Sequence, residues 1–374
     1  MCTAEQLGAH VSPLRLVIAG GGTGGHVNPA LAIADAFQAR YSDAEIFFIG
    51  TERGLETRLV PARGYRLELV EGSRLVGAGV VGKIRGLLAL MRGVRQARKM
   101  LREHRSDLVI GVGGYASGAG LLAAKTLGIR TAIHESNAVP GMTNRVLGWL
   151  VDRVYLGFEA ASDSFAASKV RVTGNPVREE IARLPARTEV RHGPRRLLIV
   201  GGSQGALFLN EQVPALLAAV ARRGVSLEIR HQVGKLDPEP VTKAYSESNL
   251  SATVLPYIDD MASALSWADF AITRSGSGTV SELAAAALPA LLVPFPYAAG
   301  DHQAANAQAF CTESGGFWSR QRDWNCEKLA DSLTSVLTDN AALEKASAGA
   351  KAVAKSEAAL AVVADCVDWV GEPQ

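Results

Sequence analysis

Short β-rich runs alternate with segments of helical periodicity along the whole chain. Strands joined by helices form parallel sheets with right-handed connections, so this pattern predicts an α/β protein. Apolar runs of this kind are typical of strands that are buried on both faces of a sheet. The predicted strands are Leu14–Ala19, Glu45–Ile49, Leu67–Val70, Leu108–Val112, Thr131–His134, Arg153–Leu156, Arg196–Val200, Leu227–Arg230, Thr253–Leu255, Phe270–Ile272 and Ala290–Val293.

Two of these strands run into glycine-rich turns that are followed by helices. Leu14–Ala19 leads into Gly20–His26, and Leu197–Val200 leads into Gly201–Gly205. Such a turn leaves backbone N–H groups and a helix N-terminus where a phosphate can bind. Because one turn begins each half of the chain, the sequence predicts two similar lobes with an anionic ligand between them.

The chain is too long for one ordinary core. Its 374 residues predict two α/β domains, and Pro176 interrupts the pattern near the middle. We therefore expect an N-terminal domain over residues 1–177 and a C-terminal domain over 178–355.

Composition excludes several classes of protein. Hydrophobic residues make up 48% and charged residues 20%, which is typical of a folded globular protein. A net charge of +2 argues against a general nucleic-acid binder. The four cysteines are scattered without a CxxC pair, which fits a reducing compartment and gives no zinc signature. With no secretion-signal pattern and no apolar stretch that could span a bilayer, we expect a cytosolic or peripheral membrane protein.

The first glycine turn matches the dinucleotide fingerprint GxGxxG at Gly20, Gly22 and Gly25. The match is weak alone, because a dinucleotide site also wants an acid at the end of the second strand, and here Glu52 comes only beyond it. A tight turn without a ligand stays open as the alternative. His26 lies at a helix N-terminus, which disfavours the imidazolium, so it is a candidate general base. A hydrogen bond at the start of the helix is the other interpretation of His26.

Polar residues that suit a nucleotide sugar follow several predicted strands. Asn137 could hydrogen-bond a sugar, although Asn is more often structural in turns. Glu282, in the first turns of a predicted helix, could accept both hydroxyls of a ribose, although Ser and Thr before a Glu also indicate capping. Gln303 and Asn306 share a helix face, and their amides suit sugar hydroxyls, with solvated surface as the alternative.

No Asp-x-Asp triplet occurs in the chain. An enzyme that held a sugar diphosphate through a carboxylate-bound metal would want one. If the chain binds a sugar nucleotide, we therefore expect no metal site, and a diphosphate neutralised by backbone N–H groups, helix dipoles and Arg178.

A basic stretch, Lys83–Arg105, follows the apolar segment Leu75–Val81. One predicted helix face is apolar and another carries arginines and lysines. This combination suits an anionic membrane surface. A helix packed on its sheet with a solvated basic face is the alternative. The apolar positions of the predicted face are Leu87, Met91, Val94, Ala97 and Leu101.

Together these motifs closely resemble the MurG family, bacterial N-acetylglucosaminyltransferases of peptidoglycan synthesis. Eight segments between Leu14 and Ala307 occur in the order of the family. They are GGGTGGHVNPALAIA, GVGGYAS, HESNAVPGMTNR, GNPVR, GGSQGA, YIDDM, RSGSGTVSE and DHQAANA. The chain departs from the commoner family pattern at Ser136, often Gln, and at Gly278, which is often bulkier.

The resemblance implies a GT-B fold, with two Rossmann-like domains facing a deep cleft and a C-terminal helix, 356–374, returning to the first domain. It implies no cofactor, UDP-GlcNAc as donor and the membrane-borne lipid I as acceptor. The implied donor contacts are Asn137, Arg178, Ser203, Ile258 (through its backbone), Ser277, Gly278, Thr279, Val280, Ser281, Glu282 and Gln303. Thr23, Gly24 and Gly25 would hold the acceptor pyrophosphate close to the donor sugar, with His26 as candidate base.

The family works at the cytoplasmic face of the inner membrane, in cell-wall biogenesis, cell shape and cell division. The resemblance therefore makes the anionic inner-membrane surface an expected partner, and proteins of cell-wall synthesis and division candidate partners. The rival interpretations are another GT-B transferase, a UDP-GlcNAc 2-epimerase, an NAD(P) oxidoreductase, and a catalytically silent nucleotide-sugar sensor or membrane adaptor.

Overall fold

The structure, a computed structural model, describes residues 14–72, 80–185, 187, 193–202, 204–313 and 315–371, with only the backbone of residues 80–84. Its strands alternate with helices, as the sequence predicted. They are β1 (Arg15–Gly20), β2 (Glu45–Gly50), β3 (Arg66–Leu69), β4 (Leu108–Gly113), β5 (Arg130–Glu135), β6 (Arg153–Leu156), β7 (Val170–Val172), β8 (Arg195–Val200), β9 (Leu227–Gln232), β10 (Ala252–Leu255), β11 (Phe270–Thr273), β12 (Ala290–Leu292) and β13 (Gly316–Trp318).

The helices lie between these strands and after the last of them. They are α1 (Gly24–Arg40), α2 (Glu56–Ala62), α3 (Val80–Glu103), α4 (Tyr115–Thr126), α5 (Met142–Leu147), α6 (Glu179–Ala182), α7 (Leu207–Arg222), α8 (Glu239–Glu247), α9 (Met261–Trp267), α10 (Ser277–Ala285), α11 (His302–Cys311), α12 (Cys326–Thr338), α13 (Asn340–Ala352) and α14 (Ala358–Gly371).

The strands form two parallel sheets with a doubly wound order. The first sheet runs β3-β2-β1-β4-β5-β6-β7 and the second runs β10-β9-β8-β11-β12-β13. In the first, Val17 of β1 lies opposite Phe47 of β2 and Val109 of β4. The order reverses beside β1 and beside β8, and ligands of such sheets bind where it reverses, at the carboxyl ends of the strands. Both predicted glycine turns begin at these two strand ends.

Continuous apolar strands account for the cores. All four residues from Leu16 to Ala19 in β1 are fully buried, as are Leu197–Ile199 of β8. The second sheet has a hydrophobic cluster on each face, one formed with α7, α8 and α12 and the other with α9, α10 and α11. Burial on both faces requires helices on both sides, which is what the crossover connections supply.

The predicted strands are confirmed, with ends that differ by one or two residues. Two further strands, β7 and β13, were not predicted. Both lie at sheet edges, and their residues are only partly buried or exposed. An edge strand needs no continuous apolar run, so these two left no clear pattern in the sequence.

Contacts divide the chain into two compact units. Unit 1 contains the described residues up to His134, Val146–Arg153 and the end of the chain from Val363, and unit 2 contains Glu135–Arg145 and Val154–Val362. The predicted boundary between residues 177 and 178 stays a prediction. Within unit 1, the Trp369 ring of α14 lies 5.2 Å from the guanidinium carbon of Arg153 and 5.7 Å from that of Arg130.

Candidate functional site

In unit 1 the first glycine turn joins β1 to α1. Gly20, Gly21 and Gly22 all have positive φ angles, of 144°, 156° and 95°. A side chain at Gly20 would collide with the backbone of Gly113, the last residue of β4. The turn therefore depends on bare backbone at the place where the strand order reverses.

The start of α1 has unused hydrogen-bond donors. Its N-cap residue, Thr23, makes no side-chain cap bond. Within the described part of the chain, the N–H groups of Thr23 and Gly24 donate to no acceptor. Two free amides at the N-terminus of a 17-residue helix favour an anionic ligand. Thr23 and Gly24, with Gly25, are the residues to which the family resemblance gave a pyrophosphate contact.

His26 has a defined tautomer in its neutral form. Its Nδ1 lies 3.1 Å from the carbonyl oxygen of Gly21. Because a carbonyl only accepts, Nδ1 must donate, which leaves the lone pair on Nε2. A Cβ at Gly113 would lie 3.0 Å from Nε2, so this side of the ring lies against bare backbone. The geometry fits both interpretations, since Nδ1 makes the hydrogen bond and Nε2 can accept a proton.

Glu56, at the start of α2, holds the same turn, although it was not among the predicted site residues. Its Oε2 accepts the N–H of Gly22 at 2.7 Å, and its Oε1 accepts the N–H of Thr51 at 3.1 Å. The residue is 2% exposed. The signal in the sequence was an acid shortly after the end of β2, where Glu52 also lies.

In unit 2 the most polar arrangement begins with Glu282 on α10. Nε and Nη2 of Arg178 donate to the same oxygen, Oε1 of Glu282, at 3.1 and 2.9 Å. The second oxygen, Oε2, accepts no hydrogen bond from the described residues. Burial raises the pKa of Glu282, and the positive charge of Arg178 opposes that rise. The two residues, predicted to contact ribose and diphosphate respectively, are thus an ion pair in this structure.

The start of α10 repeats the pattern seen at α1. Its N-cap, Gly276, has no side chain, and the N–H groups of Ser277 and Gly278 donate to no acceptor in the described residues. The side chain of Val280 is 2% exposed and lies in the core, so only its backbone can meet a ligand. A Cβ at Gly278 meets open space, so the bulkier residue common in the family fits there.

Ser281 and Thr279 follow on the same helix, and Ser281 is already engaged. Its Oγ accepts a hydrogen bond from Nδ2 of Asn175 at 3.1 Å. The side chain of Ile258 is 8% exposed and belongs to the core beside α10. The backbone N–H and C=O of Ile258 have no partner among the described residues, so they can pair with a flat polar ligand.

Gln303 presents its amide nitrogen. Its Oε1 accepts the N–H of Phe295 at 2.9 Å, so Nε2 is the end left for a ligand hydroxyl. Its backbone oxygen accepts the hydroxyl of Ser275 at 2.8 Å, which ties α11 to the turn after β11. The predicted sugar contact is therefore oriented as a donor.

Asn306 is structural, and its prediction as a sugar-binding amide is wrong. It is fully buried. Its Oδ1 accepts the N–H of Ala138 at 2.8 Å, and its Nδ2 donates to Oδ1 of Asn137 and to the Ser275 carbonyl, both at 3.2 Å. All its polar atoms are used inside the protein, so none is left for a ligand.

Asn137 is held in place by Glu135, whose Oε1 accepts both the backbone N–H and the Nδ2 of Asn137. The other carboxylate oxygen accepts the N–H of Gly141 and the Nδ2 of Asn144, each at 3.0 Å. Asn137 is thus oriented before any ligand binds. Ser203, a predicted diphosphate contact, lies outside the described residues.

In the part of the chain that the structure describes, no group of three or more His, Cys, Asp or Glu side chains could hold a metal ion. None of the described helices is long and apolar enough to cross a membrane.

The predicted apolar face of α3 is buried at its C-terminal end and exposed nearer its N-terminal end. Ala97 and Leu101 are fully buried, whereas Leu87 and Met91 are 56% and 51% exposed.

Two family profiles cover most of the chain. The glycosyltransferase family 28 N-terminal domain matches residues 16–156, and the glycosyltransferase family 28 C-terminal domain matches residues 196–362. The chain belongs to glycosyltransferase family 28. It is therefore an enzyme of the glycosyltransferase class, as the sequence predicted.

Individual relatives can be aligned with this chain over nearly the full length of both proteins. A protein of Geotalea daltonii is 41% identical over 94% of this chain and 96% of its own. One of Magnetococcus marinus is likewise 41% identical, with the same coverage. Both are named UDP-N-acetylglucosamine–N-acetylmuramyl-(pentapeptide) pyrophosphoryl-undecaprenol N-acetylglucosamine transferase.

Solved structures agree with the fold. The crystal structure of Acinetobacter baumannii MurG is 33% identical, covers 96% of this chain and 100% of that one, and has a TM-score of 0.80. The predicted GT-B fold class, with two parallel-sheet domains, is confirmed. The crystal structure of a UDP-N-acetylglucosamine 2-epimerase shares the fold at 14% identity, with a TM-score of 0.64 and coverage of 96% of this chain and 97% of that one.

Proposed function

We propose that this enzyme transfers GlcNAc from UDP-GlcNAc to the 4-hydroxyl of MurNAc in lipid I, forming the β-1,4 bond of lipid II. The observation that carries the proposal is the name and near-complete coverage of relatives that are 41% identical. The eight motifs in family order support it from within the chain. Cell-wall biogenesis, cell shape and cell division are the processes that this activity would serve.

Unit 2 is the proposed donor site. Oε2 of Glu282, left free by Arg178, would accept a ribose hydroxyl, and the unused N–H groups of Ser277 and Gly278 suit the diphosphate. The backbone of Ile258 would pair with the uracil. Asn137 and Nε2 of Gln303 would contact the GlcNAc. Arg178, Ser203, Thr279, Val280 and Ser281 complete the donor contacts proposed by resemblance.

Unit 1 is the proposed acceptor site. Free amides of Thr23 and Gly24, together with Gly25, would hold the pyrophosphate of lipid I. The 4-hydroxyl would attack the anomeric carbon of GlcNAc in line, with inversion, as the bond to UDP breaks. Nε2 of His26 would take the hydroxyl proton.

The leaving UDP would be stabilised by main-chain amides and helix dipoles, without a metal at the diphosphate. The absence of an Asp-x-Asp triplet from the sequence supports this part of the proposal. Arg178 is the positively charged side chain proposed to contact the diphosphate of the donor.

We also propose that the enzyme binds the cytoplasmic face of the inner membrane through α3. Leu87, Leu88 and Met91 are exposed there, beside the exposed Arg95 and Lys99. Apolar and basic side chains on one helix are attracted to an anionic lipid surface. The apolar segment Leu75–Gly79 lies outside the described residues, as do the side chains of Val80 and Val81. Proteins of cell-wall synthesis and division remain candidate partners.

A transfer assay tests the proposed function directly. The purified enzyme should move labelled GlcNAc from UDP-GlcNAc to short-chain lipid I with a chelator present. A strict need for added divalent metal would refute the metal-free mechanism. Formation of UDP-ManNAc without an acceptor would instead favour the 2-epimerase. UDP binding without turnover of lipid I would favour a nucleotide-sugar sensor.

A further inference from the structure

Glu56 is a buried acid at the start of α2 with hydrogen-bond donors around both of its oxygens. Gly22 N–H donates to Oε2, while the N–H and hydroxyl of Thr51 donate to Oε1 at 3.1 and 3.2 Å. Gly22 is held on its C-terminal side as well, because its carbonyl accepts the N–H of Leu55 at 3.2 Å. Glu56 makes no ion pair with any residue that the structure describes.

The backbone around this carboxylate is shaped to admit it. A Cβ at Gly50 would lie 2.7 Å from Cγ of Glu56. Side chains at Gly21 and Gly54 would overlap the carboxyl group itself. Three glycines in two separate turns thus leave room for one carboxylate. The glycines and the hydrogen-bond donors together form a specific binding site for this one carboxylate.

Glu56 also changes what the glycine turn can bind. In a dinucleotide-binding turn the glycine backbone approaches the pyrophosphate of the ligand. Here the N–H of Gly22 is already taken by a carboxylate, which would repel a second anion at the same point. In the part of the chain that the structure describes, the N–H groups of Thr23 and Gly24, at the start of α1, have no acceptor. The turn is therefore directed away from a nucleotide and towards an anion at the helix start.

The hydrogen bond from the Gly22 N–H to Glu56 also affects the position of His26, the candidate base. The carbonyl of Gly21, which accepts the Nδ1–H of His26, belongs to the same peptide group as the Gly22 N–H that donates to Glu56. A shift of this turn would move the imidazole and the two free amides together. One buried carboxylate thus controls the position of three groups that the proposed function uses.

We propose that Glu56 is a positioning residue for the acceptor. It fixes the Gly21–Gly22 turn so that Thr23 and Gly24 receive the acceptor pyrophosphate and His26 faces the attacking hydroxyl. It also keeps nucleotide diphosphates off this turn. The inference deepens the proposed function and depends on it for the identity of the acceptor.

The test compares Glu56→Gln and Glu56→Ala with Glu52→Gln, a matched change at an exposed acid in the same connection. Gln keeps the shape but has one acceptor oxygen, so one clamped N–H then faces an amide NH₂. We expect the KM for short-chain lipid I to rise about tenfold or more in both Glu56 variants, with kcat also lowered. The KM for UDP-GlcNAc should stay within about twofold, and Glu52→Gln should behave as the wild type.

A measurement without turnover separates this role from simple loss of fold. Amide hydrogen exchange at Gly22 and Thr51 should accelerate in Glu56→Gln, while exchange in unit 2 and UDP affinity by calorimetry stay unchanged. Unchanged exchange at both amides would show that Glu56 does not hold the N–H groups of Gly22 and Thr51 in place. An active enzyme whose acceptor KM does not respond, or whose two KM values rise equally, would overturn the acceptor role alone. A wild-type protein that never uses lipid I would overturn that role together with the proposed function.

Discussion

The two nitrogens of the His26 ring have different surroundings, and this difference can be tested. Nδ1 is committed to the Gly21 carbonyl, so Nε2 is the nitrogen that can accept a proton. His26→Ala should lower kcat by about 10²–10⁴-fold, since general-base catalysis contributes about that much. The KM for UDP-GlcNAc should hardly change.

His26→Asn is the informative control. Its side-chain amide can still donate to the Gly21 carbonyl, but it cannot act as a base. If kcat is as low as in His26→Ala, the base role is supported. Recovery of wild-type kcat in His26→Asn would leave the ring with the hydrogen bond as its only function.

Glu282 should make donor binding depend on pH. Burial raises its pKa above the ordinary value of 4.5. As pH falls through this raised pKa, the carboxylate gains a proton and becomes a poorer acceptor for a ribose hydroxyl. The KM for UDP-GlcNAc should therefore rise at low pH, and Glu282→Gln should have a high KM that does not vary in this range. A wild-type KM that stays flat there would remove Glu282 from the ribose.

Arg178 can be assigned by comparing two ligands. The sequence predicted a diphosphate contact, whereas its guanidinium donates to Glu282 in the structure. If Arg178 works through Glu282, Arg178→Ala should weaken the binding of UDP and of uridine by the same factor, because both ligands contain the ribose that Glu282 would contact. Titration calorimetry on Arg178→Ala, Glu282→Ala and the double variant measures this. A loss seen for UDP only would return Arg178 to the diphosphate.

At the scale of elements, buried carboxylates hold the loops that carry the site. Glu135 joins Asn137, Gly141 and Asn144, and Glu56 accepts a hydrogen bond from Gly22, 34 residues away in the chain. In a sequence, such acids look the same as solvated ones. The residue types predicted a polar site at the strand ends, but partners this distant could not be predicted.

Asn306 was predicted to bind a ligand, but distant parts of the chain use its side chain for packing. Its spacing from Gln303 predicted a shared sugar-binding face, and the spacing itself is real. Its partner Ala138 lies 168 residues away and uses the amide oxygen that a sugar would need. Helical periodicity identifies which residues share a face, but tertiary packing decides whether that face meets a ligand. The strands were predictable because a buried strand carries its own apolar signal.

The exposed part of α3 gives a prediction about the membrane. Replacing Leu87, Leu88 and Met91 with Ser should weaken binding to vesicles of anionic lipid, because their exposed apolar surface is lost. Activity on a water-soluble acceptor analogue should be retained. Leu360→Ser is the matched control, since Leu360 is 54% exposed on α14. Vesicle sedimentation measures the effect, and equal binding by both variants would exclude this surface.

At the scale of the whole molecule, each compact unit repeats one device. A parallel strand ends at the reversal of strand order, and a helix begins there with amides that have no acceptor in the described residues: Thr23 and Gly24 at α1, Ser277 and Gly278 at α10. The surroundings differ, however. The unit 1 turn contains a buried carboxylate, whereas the unit 2 helix carries Glu282 with one oxygen free. The two units should therefore prefer different anions.

The separate donor and acceptor sites predict which backbone amides UDP protects from hydrogen exchange. Saturation with UDP at about 100 times its Kd should stabilise the unit that binds it by about 2.7 kcal/mol. Hydrogen exchange should then slow at Ile258 and at Ser277–Glu282, because those amides would contact the nucleotide. Exchange at Thr23 and Gly24 should be unaffected by UDP and should slow only with short-chain lipid I. Protection of the unit 1 amides by UDP alone would mean that the nucleotide uses both turns, and the proposed separation of donor and acceptor sites would then be wrong.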